Sequence, residues 1–136
     1  MAVLVSARGA AFGDLFNDGH IDVMMNVIDS TPVLLGNIVE NSNHWVTLKL
    51  VGGTKSPRDA IGAKVFVTAG GARQPGDVFS GGSYASTSDP RLHFGLGSAD
   101  KVEKVEIFWP SGTKEEIQLP SVDKIFKVVE GQGIVP

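Results

Sequence analysis

The chain has no cysteine, which removes disulfides, thiolate nucleophiles and cysteine-ligated zinc but leaves the compartment open, since secreted β-proteins often need no disulfides. It also has no apolar run near the roughly 20 residues of a membrane span. The opening MAVLVSARGAA is too short and lacks the basic leader of a signal peptide, so an export signal would lie outside this segment. Charge of one sign is lacking as well. Fifteen acidic residues face twelve basic ones, for a net charge of -3 over 136 residues, and the broad basic surface that nucleic acid or anionic lipid requires is not expected. Helix-compatible stretches are equally scarce, because almost every window of a dozen residues carries a Gly, a Pro or an Asn-Asp pair.

What is present is turn and strand chemistry. Seventeen glycines and seven prolines separate stretches rich in Val, Ile, Thr and Phe, which predicts many short strands joined by tight turns and an all-β class. In HWVTLKLVGG, Val46, Leu48 and Leu50 alternate with Thr47 and Lys49, the pattern of a strand with one buried and one wet face. AKVFVTAGG repeats it, with Ala63, Val65 and Val67 inward and a turn at Gly70-Gly71, and ARQPGDVF is expected back as its hairpin partner. VEKVEIFWPSG places Val105, Ile107 and Trp109 on one face before a turn at Pro110-Ser111-Gly112, and TKEEIQL and KIFKVVEG supply two more strands. About six strands after residue 43 is a sandwich-like count. Phe66 and Phe108 fall on the wetter faces by the same alternation, which points to a contact surface.

The first forty residues read as three strands, around Gly9 to Phe12, in IDVMMNVI and in PVLLGNIV, with Asn41 to Asn43 as the boundary. So small a sheet has little core of its own and must dock on something or belong to a repeat array. Its exposed edges and apolar residues, Val23, Met25, Val27, Leu34 and Leu35, are expected to drive self-association.

Between the first two strands runs GDLFNDGHID. Asp14, Asp18 and Asp22 stand at loop positions 1, 5 and 9, with Gly19 at position 6 and His20 at position 7. Calcium takes six to eight oxygens at about 2.3–2.6 Å, and a glycine at the sixth position permits the sharp turn that brings flanking carboxylates to one ion. His20 would contribute its backbone carbonyl. The loop is not an EF-hand, since no helix flanks it and position 12 is Met25. The competing reading is an Asx-rich turn whose carboxylates cap backbone amides without metal.

GAAFGDLFNDGHIDVMMN resembles the FG-GAP or VCBS repeat of integrin-like β-propellers, with Phe12-Gly13 as the FG pair. The resemblance implies calcium as a weak cofactor held by Asp14, Asp18, His20 and Asp22, with Phe16 where the family has an oxygen ligand. NHWVTLKLVGGTKSPRDAIGAKVFVTAGG, SGGSYASTSDPRLHFGLG and VEIFWPSG resemble the ASPIC/UnbV domain that follows FG-GAP repeats in the cartilage acidic protein-like family. On that likeness residues 1–40 are a partial propeller blade with a calcium-type loop, and residues 44–131 an immunoglobulin-like β-sandwich. The full-length protein is expected to be extracellular, periplasmic or cell-surface, and to act as a non-enzymatic adhesion or scaffold module with a protein or glycan ligand. A carbohydrate-binding module of a larger secreted protein is the alternative.

Other sites compete less well. Gly81 to Ala85 approach a G-x-S-x-G nucleophile elbow, but the last position is Ala and STSDP cannot start the helix an elbow requires. The same stretch reads as a polar loop in which Tyr84 stacks on a ligand while Ser83, Ser86, Ser88 and Asp89 hydrogen-bond it, or as a packed turn. His20, His44 and His93 share no metal-ligand spacing. Arg58-Asp59 reads as an exposed pair of small energetic weight, and Trp45 and Trp109 as sheet-packing residues.

Overall fold

A computed structural model describes residues 5–136; residues 1–4, the start of the stretch examined for a leader, lie outside the described residues. All regular elements among the described residues are strands, and none closes into a barrel. The chain divides into two compact units, Met1–Val39 with Ser80–Asp89, and Glu40–Phe79 with Pro90–Pro136.

The first unit holds a three-stranded antiparallel sheet of β1 (Ala7–Gly13), β2 (Asp22–Val27) and β3 (Val33–Leu35), in that order. Phe12, Val23 and Leu35 are neighbours across the three strands, and so are Ala11, Met24 and Leu34 one residue along. Because side chains alternate in a strand, Leu34 and Leu35 lie on opposite faces instead of forming one apolar stripe. Val27 is the single buried hydrophobic residue of this unit among those described, while Met24, Leu34 and Leu35 are each about half exposed. The same unit takes in a hairpin from the middle of the chain.

That hairpin comprises β7 (Gly82–Ser83) and β8 (Ser86–Thr87), turning at Tyr84 and Ala85. The sequence gives no period-2 pattern here, and its strands were not expected. They exist because β1 offers close backbone contact: a side chain at Gly9 would meet the Tyr84 carbonyl at 2.8 Å, and one at Gly13 the Asp89 Cβ at 2.9 Å. Only glycine permits such approach.

The second unit has two four-stranded sheets. β4 (His44–Val51), β9 (Leu92–Gly97), β12 (Lys124–Val129) and β13 (Gly133–Val135) form one, in the order β13-β12-β4-β9; β5 (Lys64–Ala69), β6 (Ala72–Asp77), β10 (Lys104–Phe108) and β11 (Lys114–Ile117) form the other, in the order β11-β10-β5-β6. The β4–β12 pair is parallel and the rest are antiparallel. Pro75 sits on β6, an edge strand, where its missing N–H costs no ladder bond. The expected inward residues Val46, Leu48, Leu50, Val65, Val67, Val105, Ile107 and Trp109 all lie in a single apolar cluster with Phe94, Phe126 and Val128.

Leu48 is fully buried, so Leu48→Ala should cost about 2–5 kcal/mol of stability through lost transfer energy and a residual cavity. Leu34→Ala, at a half-exposed site, should change it by less than about 0.5 kcal/mol. Both tryptophans belong to the second unit, so urea unfolding followed by tryptophan fluorescence reads the first effect directly; equal midpoints for wild type and Leu48→Ala would refute this account of the core.

Candidate functional site

The loop between β1 and β2 is organised by its two terminal aspartates. Asp14 and Asp22 are each 2 % exposed. Asp14 accepts the N–H groups of Asp18 at 3.0 Å and Gly19 at 2.9 Å, one on each oxygen, and Asp22 accepts those of Leu15 at 3.1 Å and Asn37 at 2.9 Å. The loop can coil back on Asp14 because Asn17 and Gly19 adopt positive φ, 57° and 87°, a region open to glycine and tolerated by asparagine. Asp18 is different. It caps the His20 amide at 2.9 Å, and the His20 ring lies 3.4 Å away. That amide, and then the imidazole, hold the Asp18 carboxyl below its ordinary value.

The arrangement has the donor chemistry for a hard cation, in part. Among the described residues no three acidic or histidine side chains stand close enough to hold a metal ion, because the carboxylates cap amides, the geometry of the Asx-turn reading. Asp14, Asp22 and the His20 carbonyl are the oxygens that a hard cation would use here, and the exposed Asp18 would have to turn inward to join them. Phe16 is 62 % exposed, so no packing role holds it at the third position.

The five polar-loop residues divide. Ser88 Oγ accepts the Phe12 N–H at 3.2 Å, and the Asp89 N–H donates to the Phe12 carbonyl at 2.9 Å; both residues fasten the hairpin to β1. Ser86 Oγ donates to the Tyr84 carbonyl at 3.2 Å. Ser83 and Tyr84 remain exposed, Tyr84 at 70 %. Ser83 occupies a hairpin strand, not a strand-to-helix turn.

On the second unit, each sheet carries one outer cluster. Phe66 and Phe108 meet edge to face at 5.8 Å, with the Arg73 guanidinium 3.6 Å from the Phe66 ring centre and Lys114 5.0 Å from that of Phe108. Glu106 lies among them, contacting Arg73 at 3.1 Å, Lys114 at 3.3 Å and Lys104 at 3.4 Å. The alternation places Phe66 and Phe108 outward as expected, but does not by itself show the cations that cover them, since Arg73 and Lys114 arrive from the neighbouring strands β6 and β11. On the other sheet Trp45 stacks on His93 at 5.7 Å, and His93 Nδ1 lies 2.9 Å from Thr47 Oγ1. Thr47, outward by alternation, is nevertheless only 1 % exposed. Asp123 pairs with His44 at 2.7 Å and accepts the Trp45 N–H at 3.1 Å.

Arg73 first, then Lys114 and Lys104, hold the Glu106 carboxyl below its ordinary 4.5. A carboxylate with a depressed folded-state pKa contributes stability that is complete above its unfolded value and is lost as pH falls through the folded one. Wild type should therefore lose melting temperature below pH 4.5 faster than Glu106→Gln, measured by thermal scans from neutral to acid pH; parallel profiles would show that the cluster contributes nothing.

The family described as ASPIC and UnbV matches residues 53–135, a stretch that includes β5 to β13. No curated protein matches the chain. With more than half its length matched, and with the sheet that carries Phe66, Glu106 and Phe108 wholly inside that stretch, the chain belongs to the ASPIC and UnbV family.

Proposed function

We propose that this chain is a non-enzymatic interaction module of an extracellular, periplasmic or cell-surface protein, in which a partial FG-GAP or VCBS-type propeller blade carrying a weak calcium loop precedes an immunoglobulin-like β-sandwich. The observation that carries the reading is the loop itself. Two buried carboxylates already fix its backbone, and the positions that would complete a calcium shell, Asp18 and Phe16, face solvent. The apolar core shared by two sheets supports the sandwich. The poor core of the first unit supports a blade that in full length packs beside others. Ser83 in a hairpin strand argues against acyl transfer.

Calorimetric titration with calcium tests the loop. Wild type should bind with a dissociation constant on the order of 10⁻⁴ to 10⁻³ M, as extracellular modules do. Asp18→Ala should abolish the heat, and Phe16→Asp should tighten binding, because it adds a carboxylate where the side chain is exposed. No heat in all three would leave the loop as a metal-free turn.

The same reading makes a second copy of this chain the partner for the exposed blade. Leu34, Leu35, Ile38 and Val39 are exposed at and beyond β3, Ile38 at 90 %, and an unpaired edge with such residues recruits other strands. Light scattering should show a dimer or larger species that Leu35→Lys returns to a monomer. A wild-type monomer at high concentration would overturn this part of the proposal.

A further inference from the structure

Three connections of the second unit meet at an open cleft of about 200 Å³: the segment after β4, the turn between β10 and β11, and the end of β12. Gly53, Thr54, Lys55, Ser111, Thr113 and Glu130 line it. None of the motifs read from the sequence includes these side chains as a group. They come from three separated stretches, and the fold brings them together through Glu130.

Glu130 is fixed on both oxygens. One accepts the Gly53 N–H at 2.8 Å, and the other accepts the Ser111 hydroxyl. Ser111 is itself held, its N–H donating to Ser56 Oγ at 3.2 Å and its Oγ lying 3.0 Å from Thr113 Oγ1. A hydroxyl has one proton. With that of Ser111 directed to Glu130, the Ser111 oxygen accepts the Thr113 N–H at 3.2 Å and the Thr113 hydroxyl, so Ser111 is fully used within the wall while the Thr113 oxygen keeps its lone pairs. The Ser111 hydroxyl, then the Gly53 N–H, hold Glu130 below the ordinary carboxylate value, so it is anionic at neutral pH. Lys55 is exposed, and no ion pair to it is found among the described residues.

The wall thus presents a carboxylate acceptor, an ammonium donor, and hydroxyls from Thr54 and Thr113. A free anion would meet the charge of Glu130, and a divalent cation that of Lys55, each opposed by a like charge lining the same cleft. A neutral polyol meets neither objection, since every ligand hydroxyl both donates and accepts and so uses acceptor and donor together. The volume falls below the roughly 300–1,000 Å³ of drug-sized sites and suits a single ring. We infer that this cleft binds one neutral sugar residue of a glycan. The inference extends the proposed interaction role to a ligand class and does not depend on the calcium loop.

Amide NMR titration of the full chain with methyl glucoside, methyl galactoside and methyl mannoside, and separately with sodium sulfate and calcium chloride, tests it. At least one glycoside should saturably shift the amides of Gly53, Thr54 and Lys55, with a dissociation constant on the order of 1 mM, as befits so small a ligand. The exposed-site variants Lys55→Met and Thr54→Val should weaken that binding by roughly tenfold each, with the rest of the amide spectrum unchanged. The inference is overturned if all three glycosides leave these amides unmoved, if sulfate or calcium moves them at lower concentration than any glycoside, or if both variants bind as wild type does. Calcium shifts confined to Asp14–Asp22 would bear on the loop alone.

Discussion

The inward side chains of β4, β5, β10 and β12 form one dry layer between two sheets, and the remaining features of the second unit depend on it. Val46, Leu48, Val65, Val67, Val105, Ile107 and Val128 are all fully buried. β-branched residues dominate this set, which suits strands, because their stiff χ1 fits the pleated surface at little entropic cost. Once that layer sets the register, each outer face is also set. Phe66, Glu106 and Phe108 can only point away from it, and so can Trp45, Thr47 and Lys49 on the facing sheet.

Carboxylates then secure what the apolar layer cannot reach. Asp14 and Asp22 cap the amides of the calcium-type loop, Asp123 ties the approach to β12 to the start of β4, and Glu130 joins the end of β12 to Gly53. Loop N–H groups without a strand partner need an acceptor, and an ionised carboxylate offers two oxygens with several lone pairs. Asp123 does this from φ 58°, a conformation that aspartate tolerates better than most residues. The carboxylates at the loop of the first unit and at the cleft of the second are thus the groups that order the backbone around them.

The two units contrast in how their strands are held. In the second, each sheet covers the other and alternation separates apolar from polar. In the first, three short strands have apolar residues on both faces, and Val27 alone among the described hydrophobic residues is buried. The hairpin at Gly82–Thr87 adds backbone contacts to β1 at Gly9, and Asp89 just beyond it packs its side chain at Gly13, which stiffens the sheet but contributes little apolar burial.

Period-2 alternation determined much of this protein without the tertiary structure. From it follow the all-β class, the strands around Val46, Val65, Val105 and Phe126, the hairpin pairing of ARQPGD with KVFVTA, and the outward placement of Phe66 and Phe108. Such patterns are local, because each side chain's face depends only on its neighbours two residues away. The spacing of Asp14, Asp18, Gly19 and Asp22 was local in the same sense, and marked the loop. Beyond the β5–β6 hairpin, tertiary structure alone decided the strand order of each sheet, the parallel match of β4 with β12, the hairpin at Tyr84 and Ala85, the cation cover over Phe66 and Phe108, and the cleft around Glu130. The parallel pair and the cleft join residues tens of positions apart, while the hairpin and the cation cover join near neighbours whose pairing leaves no period-2 signal; the free energy that selects them resides in burial and hydrogen bonding between strands.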